Sequence, residues 1–190
     1  MKNKTFFQET FEKDFFKENS MQEMEFEDCI FNNCDFSNYS FTKTTFMDCT
    51  FENCNLTMAN LSNCGLKNIE FSKCKLLGIA FHVCQDFLFQ VKFEHCILDL
   101  CSFTNKKMQK TIFNSCSMKE VNFSGSQLNQ AVFNDCDLEN AHFNDTILSE
   151  ANFKTAYNYK IDPEFNTLKK AKFSLQGTEG LLTKYQIIIE

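Results

Sequence analysis

The sequence predicts an all-β repeat fold in which an extended chain turns a corner every five residues around an apolar interior. The first observation is the period. In FEDCIFNNCDFSNYSF a phenylalanine falls at Phe26, Phe31, Phe36 and Phe41. Five is the period of neither a helix nor a flat strand. The register runs from Phe6 to Phe81 through Phe16, Phe46, Phe51 and Phe71, with Met21 and leucines at other positions. It slips by two residues and resumes from Leu88 to Phe153 through Phe103, Phe113, Phe123, Phe133 and Phe143. The second observation is a column of small residues two places before the large ones. Ten of the eleven cysteines lie there, with Ala59, Ala131, Ala141 and Ala151. Positions two apart point the same way on an extended chain, so both columns face inward. Thirdly, the other three positions are mostly Asn, Asp, Glu, Ser, Thr and Lys, and face water.

This pattern, carried over almost the whole chain, resembles that of the pentapeptide repeat proteins. The resemblance implies a right-handed quadrilateral parallel β-helix with four pentapeptides to a coil. About seven to eight coils, at about 4.8 Å each, make a stack roughly 36 Å long. Cys34, Cys54 and Cys74 are then one coil apart, as are Cys96, Cys116 and Cys136. Each trio should stack up one interior corner as small apolar filler beneath the rings rather than as a metal or redox site.

The elements follow in order. Residues 1–81 are the first run of coils. Phe6, Phe7, Phe11 and Phe15 at its start fit either a coil or a short capping helix. Residues 82–92 hold the slip, with Phe87, Leu88 and Phe89 in a row; it is either a tolerated insertion or an exposed contact loop. Residues 93–155 are the second run. Residues 156–190 open on a turn at Asp162-Pro163 and rejoin the register at Leu168 and Phe173. They end in a cap, which a solenoid needs over its open end. Leu181, Leu182 and Tyr185 have helical spacing; Ile187, Ile188 and Ile189 read as a strand. These six residues are apolar enough to pair two copies into a homodimer.

Composition narrows the function. All 19 bases are lysine against 25 acids, for a net charge of -6. A chain without arginine points away from direct nucleic-acid binding. An odd cysteine count, no export signal and no apolar run of about 20 residues indicate a soluble cytoplasmic protein with reduced thiols. His82, His95 and His142 have no metal-ligand partner at helical spacing. There is no phosphate-cradling glycine loop and no nucleophile elbow. Neither catalysis, a cofactor nor a metal is expected. From Lys119 to Lys154 no base intervenes among Glu120, Asp135, Asp137, Glu139, Asp145 and Glu150. Such an acidic rod would attract a basic DNA-binding saddle.

Three segments resemble the Qnr group of the family: GIAFHVC (Gly78 to Cys84), IDPEFNTLKKAKF (Ile161 to Phe173), and the closing Leu181-Leu182 and Ile187 to Ile189. That resemblance implies a dimeric DNA mimic that binds DNA gyrase and topoisomerase IV and protects them from quinolones. The longer members carry projecting loops that this chain lacks, so inhibition without protection is a second outcome. The competing class is a scaffolding module with another protein partner. A mimic needs its acids in a continuous stripe; a scaffold would scatter them.

Overall fold

The computed structural model describes residues 4–13 and 21–188. Phe15, Phe16 and Ile189 lie outside them. The chain forms an all-parallel β-solenoid of about eight turns. Its first side is a ladder of Lys4–Phe7, Met24–Glu27, Thr45–Met47 and Gly65–Lys67. Its second side is a nine-stranded ladder that begins at Thr10–Glu12 and ends at Lys172–Phe173. The third and fourth sides stack through single bridges such as Asp35 to Asn55 and Ser40 to Asn60. Lys4–Phe7 pairs with Met24–Glu27 in register, Phe6 against Phe26, and Thr10–Glu12 pairs with Ile30–Asn32, so Phe6, Phe7 and Phe11 stand in a coil rather than a helix.

Corners explain the period. Two places after most large residues stands one with positive φ: Asp28 at 52°, Asn53 at 52°, Glu120 at 56° and Asp145 at 52°. This left-handed conformation reverses the chain locally, and Asn and Asp tolerate it better than most residues. Glycine fills such a corner only at Gly78 and Gly125. That is how a chain with five glycines turns so often.

The large column is the core. Rings one coil apart stack in parallel, as Phe93, Phe113 and Phe133 do at 5.4 and 4.9 Å. Rings on adjacent sides meet edge to face, as Phe113 and Phe123 do at 6.0 Å. Both arrangements suit the aromatic quadrupole. The small column has a second role that its size alone does not reveal. Its side chains donate to carbonyls of the preceding coil: Cys54 to Phe31 at 3.3 Å, Cys96 to Phe71 at 3.3 Å, Thr44 to Met21 at 2.6 Å and Thr146 to Phe123 at 3.0 Å. A small donor fits beneath the ring and satisfies a buried acceptor. Burial pushes the thiols of Cys49, Cys84 and Cys101 up to about 12, so they stay neutral.

The slip changes the stacking distance once. Phe71 pairs with Phe93 and Lys75 with Ile97. This brings Cys74 beneath Cys96, so the two trios join into one column from Cys34 to Cys136. The extra residues are absorbed at one corner, and here the structure corrects the register. Leu88 was expected inside; it is 63% exposed, with φ 57°, and Phe89 packs partly against the core instead.

At the far end the coils stay in step, Ile147 on Thr167 and Asn152 on Lys172. Tyr159 and Ile161 turn inward and close the core. The cap then folds back as a short helix, Glu179–Leu182, continued by a tight helical turn, Thr183–Tyr185. The expected strand is absent at Ile187 and Ile188: Gln186 turns left-handed (φ 52°) and neither isoleucine belongs to a strand or bridge. Gly177 and Gly180 let the cap backbone lie against Tyr159; a Cβ on Gly180 would fall 2.2 Å from the Tyr159 carbonyl oxygen.

Electrostatics fasten the cap. Lys184 reaches Asp162 at 2.9 Å and Glu164 at 2.7 Å, and Ile161 donates its N–H to the Gly180 carbonyl at 3.0 Å. The Glu164 N–H and then Lys184 lower the Asp162 pKa, and Lys184 lowers that of Glu164. Carboxylates with lowered folded pKa values contribute stability that is present above their ordinary values and is lost as pH falls through the lowered ones. The cap is therefore expected to loosen below about pH 4 while the coils stay intact. Backbone 15N relaxation at pH 6.5 and pH 3 checks this; equal rigidity of residues 175–188 at both would refute it.

Candidate partner-binding surface

The acidic residues singled out in the sequence occupy outward positions. Asp135, Asp145 and Glu150 are exposed corner residues with positive φ, on three different corners of the square. None forms an ion pair among the described residues. Gln130 donates to Glu150 at 3.0 Å and Asn144 to Asp145 at 3.2 Å. Asp137 and Glu139 differ. They lie on the third side and both hold Lys119 from the coil before, at 3.2 and 2.8 Å. Their hydrogen bonds, Glu139 first, and then their charge raise the Lys119 pKa. Asn158 also donates to Asp137 at 2.8 Å. The five acids thus divide into three unneutralised corners and one internally compensated pair.

The corner rows do not form acidic stripes. Going up from Asp135 toward the first coils, the row holds Ser115, His95, Lys73, Asn53 and Asn33; from Glu150 it holds Gln130, Lys110, Leu88 and Asn68 before Asp48 and Asp28. At the cap end, Leu181 packs against the core, while Tyr185, Ile187 and Ile188 are largely exposed and Leu182 is half-buried.

Sequence reasoning missed Lys106. It stands two places before Met108, in the small inward column, and is 1% exposed. It is the only buried charged residue among those described. Its ammonium crosses to the slip, donating to the Cys84 carbonyl at 2.5 Å and to Asp86 at 2.7 Å, with the Phe89 ring 4.8 Å away. The signal was available: a lysine where the pattern requires a small residue. One coil on from the slip, it holds Gln85–Gln90 against the solenoid and leaves Phe87 and Leu88 outside. Lys67 lies over Phe87 at 5.5 Å.

Among the described residues no group of three or more His, Cys, Asp or Glu could hold a metal ion. Among them, too, no helix is long and apolar enough to cross a membrane.

The family model described as a pentapeptide repeat region matches residues 24–86 and 87–157. The chain belongs to the pentapeptide repeat family. A comparison with curated protein sequences returns no match. Among solved structures, this pentapeptide repeat protein is similar to a trypsin-treated, singly substituted form of QnrB1, a plasmid-mediated fluoroquinolone resistance protein. That similarity has 15% identity and a TM-score of 0.64, over 99% of this chain and 98% of that chain. A second trypsin-treated QnrB1, with a different single substitution, matches equally well, with 15% identity and a TM-score of 0.64 over 99% of both chains. HetL, a pentapeptide repeat protein involved in heterocyst differentiation regulation from the cyanobacterium Nostoc sp. strain PCC 7120, follows. It has 15% identity and a TM-score of 0.49, over 93% of this chain and 91% of that chain. The two QnrB1 similarities establish the quadrilateral solenoid.

Proposed function

We propose that this pentapeptide repeat protein acts without catalysis, by binding DNA gyrase or topoisomerase IV and modulating its response to quinolones. The observation that carries the reading is the end-to-end similarity of fold to QnrB1, a fluoroquinolone resistance protein. The three unneutralised corners Asp135, Asp145 and Glu150 are the contact residues, with Asp137 and Glu139 contributing less because Lys119 compensates them. The protein is cytoplasmic, where such a partner resides, and pairs as a homodimer through Leu181, Leu182, Tyr185 and Ile187 to Ile189.

A DNA supercoiling assay with gyrase, titrated with this protein in the presence and absence of a fluoroquinolone, tests the reading. Rescue of supercoiling supports protection, and inhibition alone supports mimicry without protection. No effect in either arm sinks the topoisomerase partner. Asp135→Asn, Asp145→Asn and Glu150→Asn combined should weaken gyrase binding at least tenfold, with stability within about 0.5 kcal/mol because all three sites are exposed. For the tail, Leu182→Asp should remove the contact between the two C-terminal ends, read as a change in light-scattering mass.

One observation favours a second reading. The acids are scattered over three corners and broken by Lys73 and Lys110, as in a scaffold with a different protein partner. A folded triple variant with undiminished gyrase binding would place the contact elsewhere; capture of another protein with no gyrase effect would establish the scaffold.

A further inference from the structure

One side of the solenoid carries no charge. On the fourth side, from Ser40 and Thr42 to His142 and Asn144, the outward positions hold Ser, Thr, Asn, Ala and His, and no Asp, Glu or Lys. The second side, by contrast, has Glu12, Glu52, Glu70, Lys92 and Glu94. Five hydroxyls of the neutral side are already paired within it: Ser40 with Thr42 at 3.0 Å, Ser62 with Asn60 at 2.6 Å and Ser102 with Thr104 at 2.9 Å. Such groups cost less to dehydrate than unpaired ones. Depletion of charge is the compositional mark of an interface core.

One of the two corner rows bordering this side is complementary to itself at its ends. It reads Lys43, Asn63, Val83, Asn105, Gly125, Asp145. A two-fold axis between the coils of Val83 and Asn105 exchanges its two ends, so Lys43 meets the Asp145 position of a second copy. Lys43 holds Glu23 at 3.0 Å within its own chain, and an ammonium has three donors. The opposite row has its exposed apolar residues, Met58 (59%) and Leu100 (55%), on either side of the same axis. The axis sets Leu100 of one copy against Gly78 of the other, where the Met58 side chain lies, its Sδ 2.5 Å from the place of a Cβ, and sets Glu120 at the outer edge of Met58.

We propose that two copies of this chain pair antiparallel through the neutral fourth side, Met58 and Leu100 meeting at one corner and Lys43 and Asp145 at the other. With a net charge of -6, copies approaching by the charged sides bring like charges together; the fourth side avoids this. Six coils at about 4.8 Å give a strip about 29 Å long. Its total buried area is on the order of 1,000 Å², the lower limit of a specific interface, so the dimer is expected to be weak and to depend on concentration. The contact does not involve the C-terminal tail; it shares Asp145 with the proposed gyrase surface, so pairing is measured without gyrase, and Asp135→Asn with Glu150→Asn should weaken gyrase binding while leaving pairing unchanged.

Sedimentation equilibrium on the full chain carrying Leu182→Asp tests it, because the tail contact is then removed. The expected result is a monomer–dimer equilibrium. Adding Thr104→Lys should raise the Kd at least tenfold, with an unchanged melting temperature confirming the fold. Lys43→Glu and Asp145→Lys should each raise the Kd about tenfold alone, and together restore it. A Leu182→Asp chain that stays monomeric to about 300 μM overturns the proposal, since the strip then faces water or another protein. A dimer indifferent to Thr104→Lys also overturns it, and failure of the charge swap to restore pairing overturns the antiparallel register.

Discussion

Phe113→Ala is expected to lower the stability of the folded chain by about 3–5 kcal/mol, the largest loss of any single truncation argued for this protein. Phe113 is fully buried and sits mid-stack, between Phe93 at 5.4 Å and Phe133 at 4.9 Å, with Phe103 and Phe123 edge-on at 6.3 and 6.0 Å. Truncation removes a ring that four others touch. The coils above and below are fixed by their own ladder bonds, so they cannot collapse into the space. Phe113→Leu should cost less, about 1–2 kcal/mol, because it keeps part of the volume. Phe173→Ala is the positional control. That ring is half-buried at the last rung, stacked on Phe153 at 5.2 Å with no described coil beyond it. Its loss should cost roughly 1–2 kcal/mol. Solenoid stability is carried by nearest-neighbour contacts, so Phe113→Ala should also uncouple the two halves. Urea unfolding followed by circular dichroism reads both effects. Equal losses at Phe113 and Phe173 would show that position in the stack does not matter and would refute the argument.

The period of five made the fold legible because each inward residue repeats the same burial. A residue such as Phe31 or Phe123 needs no partner to be identified; its spacing suffices. The cap was half legible: Leu181 and Leu182 signalled a helix, but Ile187 and Ile188 have strand composition and no neighbouring strand to bond. Composition favours a strand; a ladder partner makes one. Leu88 misled for a related reason. It satisfies the spacing, yet the slip puts the turn of the chain at Leu88 itself, and a corner residue points outward whatever its hydrophobicity. The candidate surface was legible only as a list of acids. That Lys119 reaches both Asp137 and Glu139 depends on stacking across coils, which brings together residues about twenty apart. The neutral fourth side is likewise invisible until outward positions are sorted by side.

Lys106 leads to the second large effect. Lys106→Ala is expected to cost about 2–4 kcal/mol, the sum of a cavity in a close-packed column and a buried carbonyl left without its donor. Lys106→Met separates the two contributions. It keeps most of the volume and loses the bond to the Cys84 carbonyl, so it should cost only about 1–2 kcal/mol. Asp86→Asn should cost less still, under about 1 kcal/mol, because the Asp86 side chain is 74% exposed and water replaces the lost ion pair. The order Ala, Met, Asn is therefore set by burial rather than by charge. The same order should appear in the loop. With Lys106 truncated, Gln85–Gln90 loses the ammonium that joins the Cys84 carbonyl, Asp86 and the Phe89 ring, and chymotrypsin should cleave at Phe87 or Phe89 faster than in the parent chain. Urea melts and the rate of nicking, measured on the three variants together, decide it. Asp86→Asn matching Lys106→Ala in both would mean that the ion pair alone holds the slip, against the present argument. Faster nicking with unchanged melting would instead show that Lys106 holds the loop without supporting the coils, and that the column tolerates the cavity.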